Sequence, residues 1–163
     1  MEDFYLAKVT ERIFLPLIKM IVPEIVDMNL PGEGVFHNCA IVSINKTYPM
    51  QAQKVMHALW GMGQMMNTKI IIIMDGDVDV HDIKTVIWKA LSNVDPRRDM
   101  VITSGPLDVL DHSSPYPLHG SKLGVDATIK IQGETDRPWP DEIIMSKDIT
   151  DLVTAKWKDY GIT

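Results

Sequence analysis

Residues 69–74 read Lys-Ile-Ile-Ile-Ile-Met and run straight into Asp-Gly-Asp-Val-Asp-Val-His-Asp over 75–82. Successive side chains of a strand point to opposite faces, so an unbroken apolar run predicts a strand covered on both. That requirement disfavours a sheet with one wet face and calls for helices above and below. The flanking periodicities supply them. Ala52, Val55, Met56, Leu59 and Trp60 keep to one helical stripe, opened by Tyr48-Pro49 and closed by Gly61 and Gly63. Ile83, Val86, Ile87, Ala90, Leu91 and Val94 form a second stripe, with Asp82 placed to cap it and Asp95-Pro96 to end it.

The rest of the chain extends this pattern. Residues 1–22 read as helix, with Pro16 kinking or splitting it. Pro23 and the turn at 31–34 bracket a short segment at 25–30. Residues 36–44, 100–103 and 123–131 read as strands, and 104–122 and 133–140 as loops. A last helix is expected from Ser146 or Asp148, burying Ile149, Leu152, Val153, Trp157 and Tyr160 and ending at Gly161. Strands alternating with helices predict an α/β fold. The expectation is a single three-layer domain over 1–163, with a mainly parallel or mixed sheet flanked by helices.

Composition narrows the function classes. The net charge of −6 disfavours non-specific nucleic-acid binding, which relies on clustered Lys and Arg. No apolar run approaches the roughly 20 residues of a membrane span. The acidic Met1-Glu2-Asp3 start is no signal segment, and the lone Cys39 excludes an internal disulfide. A cytoplasmic protein is expected. The eleven methionines read as core filling, with an adaptable binding surface as the alternative.

Two stretches carry polar chemistry. Ligands of α/β sheets gather beyond the carboxyl ends of strands, where Asp75, Asp77 and Asp79 fall. An EF-hand loop starting at Asp75 would need glycine at 80 and glutamate at 86, and both positions hold valine. Val78 and Val80 alternating with Asp77, Asp79 and His81 suit a packed edge and a solvated edge. The cluster reads as a strand end and helix cap, with a cation contact as the other reading. The second stretch, 104–128, concentrates Asp108, Asp111, His112, Ser113, Ser114, His119, Ser121 and Lys122. No Gly-x-Ser-x-Gly elbow is present, and a phosphate loop ending at Lys122 would need glycine where Pro115 stands. His37 and His57, on apolar segments, read as core or edge histidines. Arg97 and Arg98 read as partners of Asp99 or its neighbours, and Trp139 as a packing anchor.

Several phrases recur together. DGDVDVHD precedes TVIWKALSNVDPRRD, then GPLDVLDHSSP, GSKLGVDATIK and GETDRPWP, with PEIVDMNLPGEGVFHNCAIVSI and YPMQAQKVMHALWGMGQMM upstream. In this order they resemble the carboxyl-terminal domain of UbiD-family decarboxylases, over nearly the whole chain. The resemblance implies non-oxidative decarboxylation of aromatic or α,β-unsaturated acids by a full-length enzyme about three times this length. It implies prenylated FMN with manganese and potassium, held with a Glu-Arg-Glu catalytic set in an upstream flavin-binding domain. For this chain it therefore implies no catalytic residue, no metal ligand and no cofactor of its own. It implies that the domain helps to close the active site and supports a homo-oligomer, inactive alone. The alternative is a non-catalytic subunit module. By resemblance, Leu107, Asp108, Val109, Leu110 and Asp111 face the substrate cleft, and Lys122 is a candidate anion contact.

Overall fold

The computed structural model describes residues 2–35 and 37–161, the side chain of Asp3 excepted. In chain order the elements are α1 (Glu2–Ile21), β1 (Ile25–Asn29), β2 (Cys39–Ile44), α2 (Gln51–Trp60), β3 (Ile70–Asp75), α3 (Ile83–Asn93), the single turn α4 (Pro96–Asp99), β4 (Met100–Pro106), β5 (His119–Asp126) and α5 (Lys147–Ala155). Short 3-10 turns occupy Gly32–Gly34, Gly63–Asn67 and Trp157–Tyr160. The strands form one sheet in the order β1-β2-β3-β5-β4. Its centre, β2-β3-β5, is parallel, and β1 and β4 add antiparallel edges.

The isoleucine run is covered on both sides. Ile71 and Ile73 join Ala40, Val42 and Ile44 against Val55, Met56 and Leu59 of α2 and Ile18 of α1. Met74 and Ile72 point the other way, with Ile41, onto Val86, Ile83 and Ala90 of α3 and the buried Val78 and Val80. Two cores, one per face, give the expected α/β layering.

Several expectations are corrected. The loop predicted over 104–122 shrinks to 107–118, because β4 and β5 extend as a polar antiparallel ribbon from Thr103↔Lys122 to Pro106↔His119. At a sheet edge a strand can stay wet on one side, so its sequence lacks the apolar signature. β5 ends at Asp126 and not near 131, because the Asp126 carboxylate accepts the Thr128 N–H at 3.0 Å and turns the chain. Finally, α5 buries no residue: Ile149, Leu152, Trp157 and Tyr160 are all exposed. On α3, Ile87 and Leu91 are exposed as well, leaving Val86 as its one fully buried side chain among the described residues. Helix α1 runs unbroken through Pro16.

Candidate functional site

The two ends of the parallel strands differ in chemistry. At the carboxyl edge, side chains are consumed by one another. Asp126 sits between Lys46 (3.7 Å) and Lys130 (3.1 Å). Lys46 also holds Glu134 at 2.5 Å and donates to Thr128 Oγ1 and the Ile129 carbonyl. Lys130 reaches Asp99 at 3.4 Å, which Arg98 clamps at 2.7 Å. Cation and carboxylate alternate along the row Glu134, Lys46, Asp126, Lys130, Asp99, Arg98, so buried charge is locally cancelled.

The acidic stretch belongs to this edge. Asp82 caps α3 by accepting the Lys84 and Thr85 N–H groups. Asp79 accepts the His81 N–H, and Asp75 accepts the Ile129 N–H at 2.9 Å. Burial, with Asp77 adding repulsion, pushes the Asp75 carboxyl up despite that N–H. His81 approaches Asp27 at 3.2 Å, and Arg12 of α1 meets the same carboxylate at 2.8 Å. Among the described residues no three His, Cys, Asp or Glu side chains converge as a metal site.

The amino edge is open. There the 107–118 loop, the turn before β2 and the Gly63–Asn67 turn before β3 come together. Leu107 is buried under the loop. Asp108 turns inward to His37, with Oδ1 3.4 Å from Nε2. Asp111 turns inward to Lys69 at 2.6 Å. Hydrogen bonds from Lys69 and then Ser113 hold the Asp111 carboxyl well below the usual carboxylate range. Between these anchors Val109 and Leu110 point out, 74% and 71% exposed. Lys122 is buried, and its ammonium donates to the carbonyls of Met66 (2.5 Å) and Thr68 (2.9 Å). Burial pushes that ammonium down to about 8.

A polar cavity of about 290 Å³ lies beneath the loop, lined by Thr10, Leu30, His37, Gln64, Met65, Asn67, Thr68 and Asp108. It shares Thr10, Leu30, Gln64 and Met65 with an apolar cavity of about 210 Å³. Phe14, Leu17, Ile18, Ile21, Met28, Met62 and Gly63 complete the apolar one.

Of the sequence candidates, the structure brings Leu107, Asp108 and Asp111 to one site, presents Val109 and Leu110 at its rim, and sets Lys122 under the neighbouring turn. His37 was read as a core or edge histidine. Its side chain is 10% exposed, but it lines the cavity through Asp108. Its pairing across 71 positions left no local signal. His57 is exposed and packs edge-on to Trp60. Arg98 pairs with Asp99 as expected and lies over the half-buried Trp139 ring.

Comparison with known proteins adds the following. The sequence profile of the 3-octaprenyl-4-hydroxybenzoate carboxy-lyase C-terminal domain matches residues 4–127. An uncharacterized protein of Archaeoglobus fulgidus is 52% identical over 161 residues, covering 98% of this chain and 34% of its own length. One of Aeropyrum pernix is 45% identical over 164 residues, again with 34% of its length covered. The chain thus spans about a third of the curated relatives it matches. The vanillic acid decarboxylase of Sedimentibacter hydroxybenzoicus, in its closed form, superposes with a TM-score of 0.77 at 26% identity, over 90% of this chain and 30% of that one. A UbiD-class enzyme of Pelotomaculum thermopropionicum, solved with FMN, shares the fold with a TM-score of 0.71 at 23% identity, over 90% of this chain and 32% of that one.

Proposed function

Since this chain belongs to the family of 3-octaprenyl-4-hydroxybenzoate carboxy-lyase C-terminal domains, we propose that it closes the active-site cleft of a UbiD-class decarboxylase acting on aromatic or α,β-unsaturated acids. The flavin, metal and Glu-Arg-Glu set belong in this reading to the remaining two-thirds of a full-length protein, its partner domain. The donor set of this chain does not suit a manganese site: Asp108 is opposed by His37, Asp111 by Lys69, and Asp126 by Lys46 and Lys130. No catalytic step is assigned to these residues.

The observation that carries the reading is the loop at 107–111. Asp108 and Asp111 fasten it inward while Val109 and Leu110 stand out between them. Holding two aliphatic side chains in water on a fastened loop has no value to the isolated domain. Both gain once a facing surface removes them from water, each by about 1.5–3 kcal/mol at full burial. An apolar lid over an aromatic or unsaturated acid would do so and exclude water from the reacting carboxylate.

The test uses the full-length decarboxylase. Val109→Ser with Leu110→Ser is expected to lower kcat/KM at least tenfold with stability unchanged. Unaltered kcat/KM would defeat the lid role. In the same assay the 163-residue chain alone, given prenylated FMN, manganese and an aromatic acid, is expected to release no carbon dioxide.

A second reading, a subunit module supporting a homo-oligomer, draws on the outer stripe of α1, where Tyr5, Val9, Ile13 and Met20 are exposed. A strict monomer by light scattering at high micromolar concentration would remove it.

A further inference from the structure

The charge row of the carboxyl edge ends on Arg98, and beside it lies a third cavity, of about 420 Å³. The end of α3, the α4 turn and a strap over 135–140 line it, the strap lying beyond the residues that the family's profile matches. At that size it falls among small-molecule sites, roughly 300–1,000 Å³.

Its lining holds donors that the domain leaves unspent. Arg98 uses Nε and Nη2 on Asp99 and the Asn93 carbonyl. Its Nη1 has no partner among the described residues. The Arg137 guanidinium makes no ion pair or hydrogen bond among them, and neither does the Trp139 indole N–H. Two carboxylates are close, and both are engaged. Asp99 is buried and paired with Arg98 at 2.7 Å. Asp95 caps α4, accepting the Arg97 and Arg98 N–H groups. Two guanidiniums therefore share the lining with one carboxylate, and Arg137 is the cation left uncompensated. The apolar part of the lining is Val94 with Trp139 between Pro138 and Pro140. Each proline locks its own φ, and the Arg98 guanidinium lies over the half-buried indole, 5.9 Å from its centroid.

We infer that this cleft binds a flat aromatic ring carrying one oxyanion, with the ring against Trp139 and its flanking prolines and the oxyanion on Arg137. The planar fork of an arginine matches a pair of anionic oxygens. An aromatic ring packs on an indole in an offset or edge-on arrangement. Arg98 Nη1 and the indole N–H are further donors in the same lining. Asp95 restricts the ligand to one charge, because a second oxyanion would meet a carboxylate with no cation left to offset it. Neither the decarboxylase reading nor the lid enters, since this cleft and the 107–111 loop adjoin opposite ends of β4.

Trp139 reports on its own site. The 163-residue chain is labelled with 5-fluorotryptophan, its four resonances are assigned by Trp→Phe substitutions, and ¹⁹F spectra are recorded against three probes. Benzenesulfonate carries ring and charge, benzenesulfonamide the ring without the charge, and methanesulfonate the charge without the ring. Benzenesulfonate is expected to move the Trp139 resonance saturably while the buried Trp60 stays fixed. The other two are each expected to bind at least fivefold more weakly. Benzene-1,3-disulfonate should bind no more tightly than benzenesulfonate. Arg137→Gln, at an exposed position, should weaken benzenesulfonate at least fivefold and leave the sulfonamide unchanged. An unmoved Trp60 resonance in that variant reports a retained fold, and the probes on the unaltered chain decide independently of any variant. No Trp139 shift at millimolar benzenesulfonate, benzenesulfonate binding no tighter than either companion, a tighter disulfonate, or a folded Arg137→Gln that binds as the parent does would each overturn the inference.

Discussion

At the scale of single residues, the open edge depends on close approaches that the sequence does not advertise. A Cβ built on Gly34 would stand 2.7 Å from the Cys39 Cβ and 3.1 Å from its backbone nitrogen. Backbone at the start of β2 cannot yield as a long side chain would, so Gly34→Ala must displace the turn that carries His37. The expected cost is on the order of 1–3 kcal/mol, read as a lower urea midpoint at unchanged slope. Asp111 gives a second residue-level expectation. Lys69 and Ser113 hold its folded value below its unfolded one, about 3.9. The sign follows from linkage: the contribution is complete above the unfolded value and is lost as pH falls through the folded one. The 107–118 loop should therefore loosen only in strong acid, seen as faster amide exchange at Ser113. In Asp111→Asn that acid dependence should vanish, with exchange already fast at neutral pH.

At the scale of elements, what could be read was what periodicity encodes. The stripes of α2 and α3 and the isoleucine run of β3 were legible because each buries one continuous set of side chains, and burial leaves a pattern. The β4–β5 ribbon was not, since its alternation of exposed and half-buried polar residues resembles a loop. The edge that forms the candidate site carries no periodicity of its own, and residues 107–111 and Lys122 were singled out there only by family resemblance, without their partners. The rule that ligands lie beyond the carboxyl ends of strands directs attention to Asp75, yet there the charges neutralise one another. His37, Asp108 and the Gly63–Asn67 turn meet only through tertiary folding. Helix α5 shows the opposite case: its helical pattern was right and its burial wrong, because an amphipathic stripe encodes a helix whether or not another element packs on it. Removal of 147–163 should accordingly shift the thermal midpoint by no more than about 2 °C, since no buried contact is lost. A larger fall would mean that α5 packs on the domain in solution.

At the scale of the whole molecule, the sheet works as a partition, with charge locked at one end and a pocket left at the other. The lock is the buried row at the carboxyl edge. Through Lys46, just past β2, it ties that strand's end to β5, α4 and the 127–134 segment, elements distant in sequence. Lys46 and Glu134 are 2% and 5% exposed. Burial pushes the Glu134 carboxyl up, but the Lys46 hydrogen bond and the Met50 and Ile131 N–H groups outweigh it and leave the folded value lowered. Its contribution is thus present above the unfolded value, about 4.3, and lost as pH falls through the folded one. Lys46→Met removes one partner and leaves buried carboxylates facing each other across the gap. Breaking a buried pair in this way costs about 3–5 kcal/mol, a large part of the stability of a domain this size. Adding Glu134→Leu removes the orphaned charge, so the double variant should recover at least half of that loss by urea unfolding. If the row is instead an incidental surface feature, both single variants will fall within about 0.5 kcal/mol of the parent, and the double variant will equal their sum.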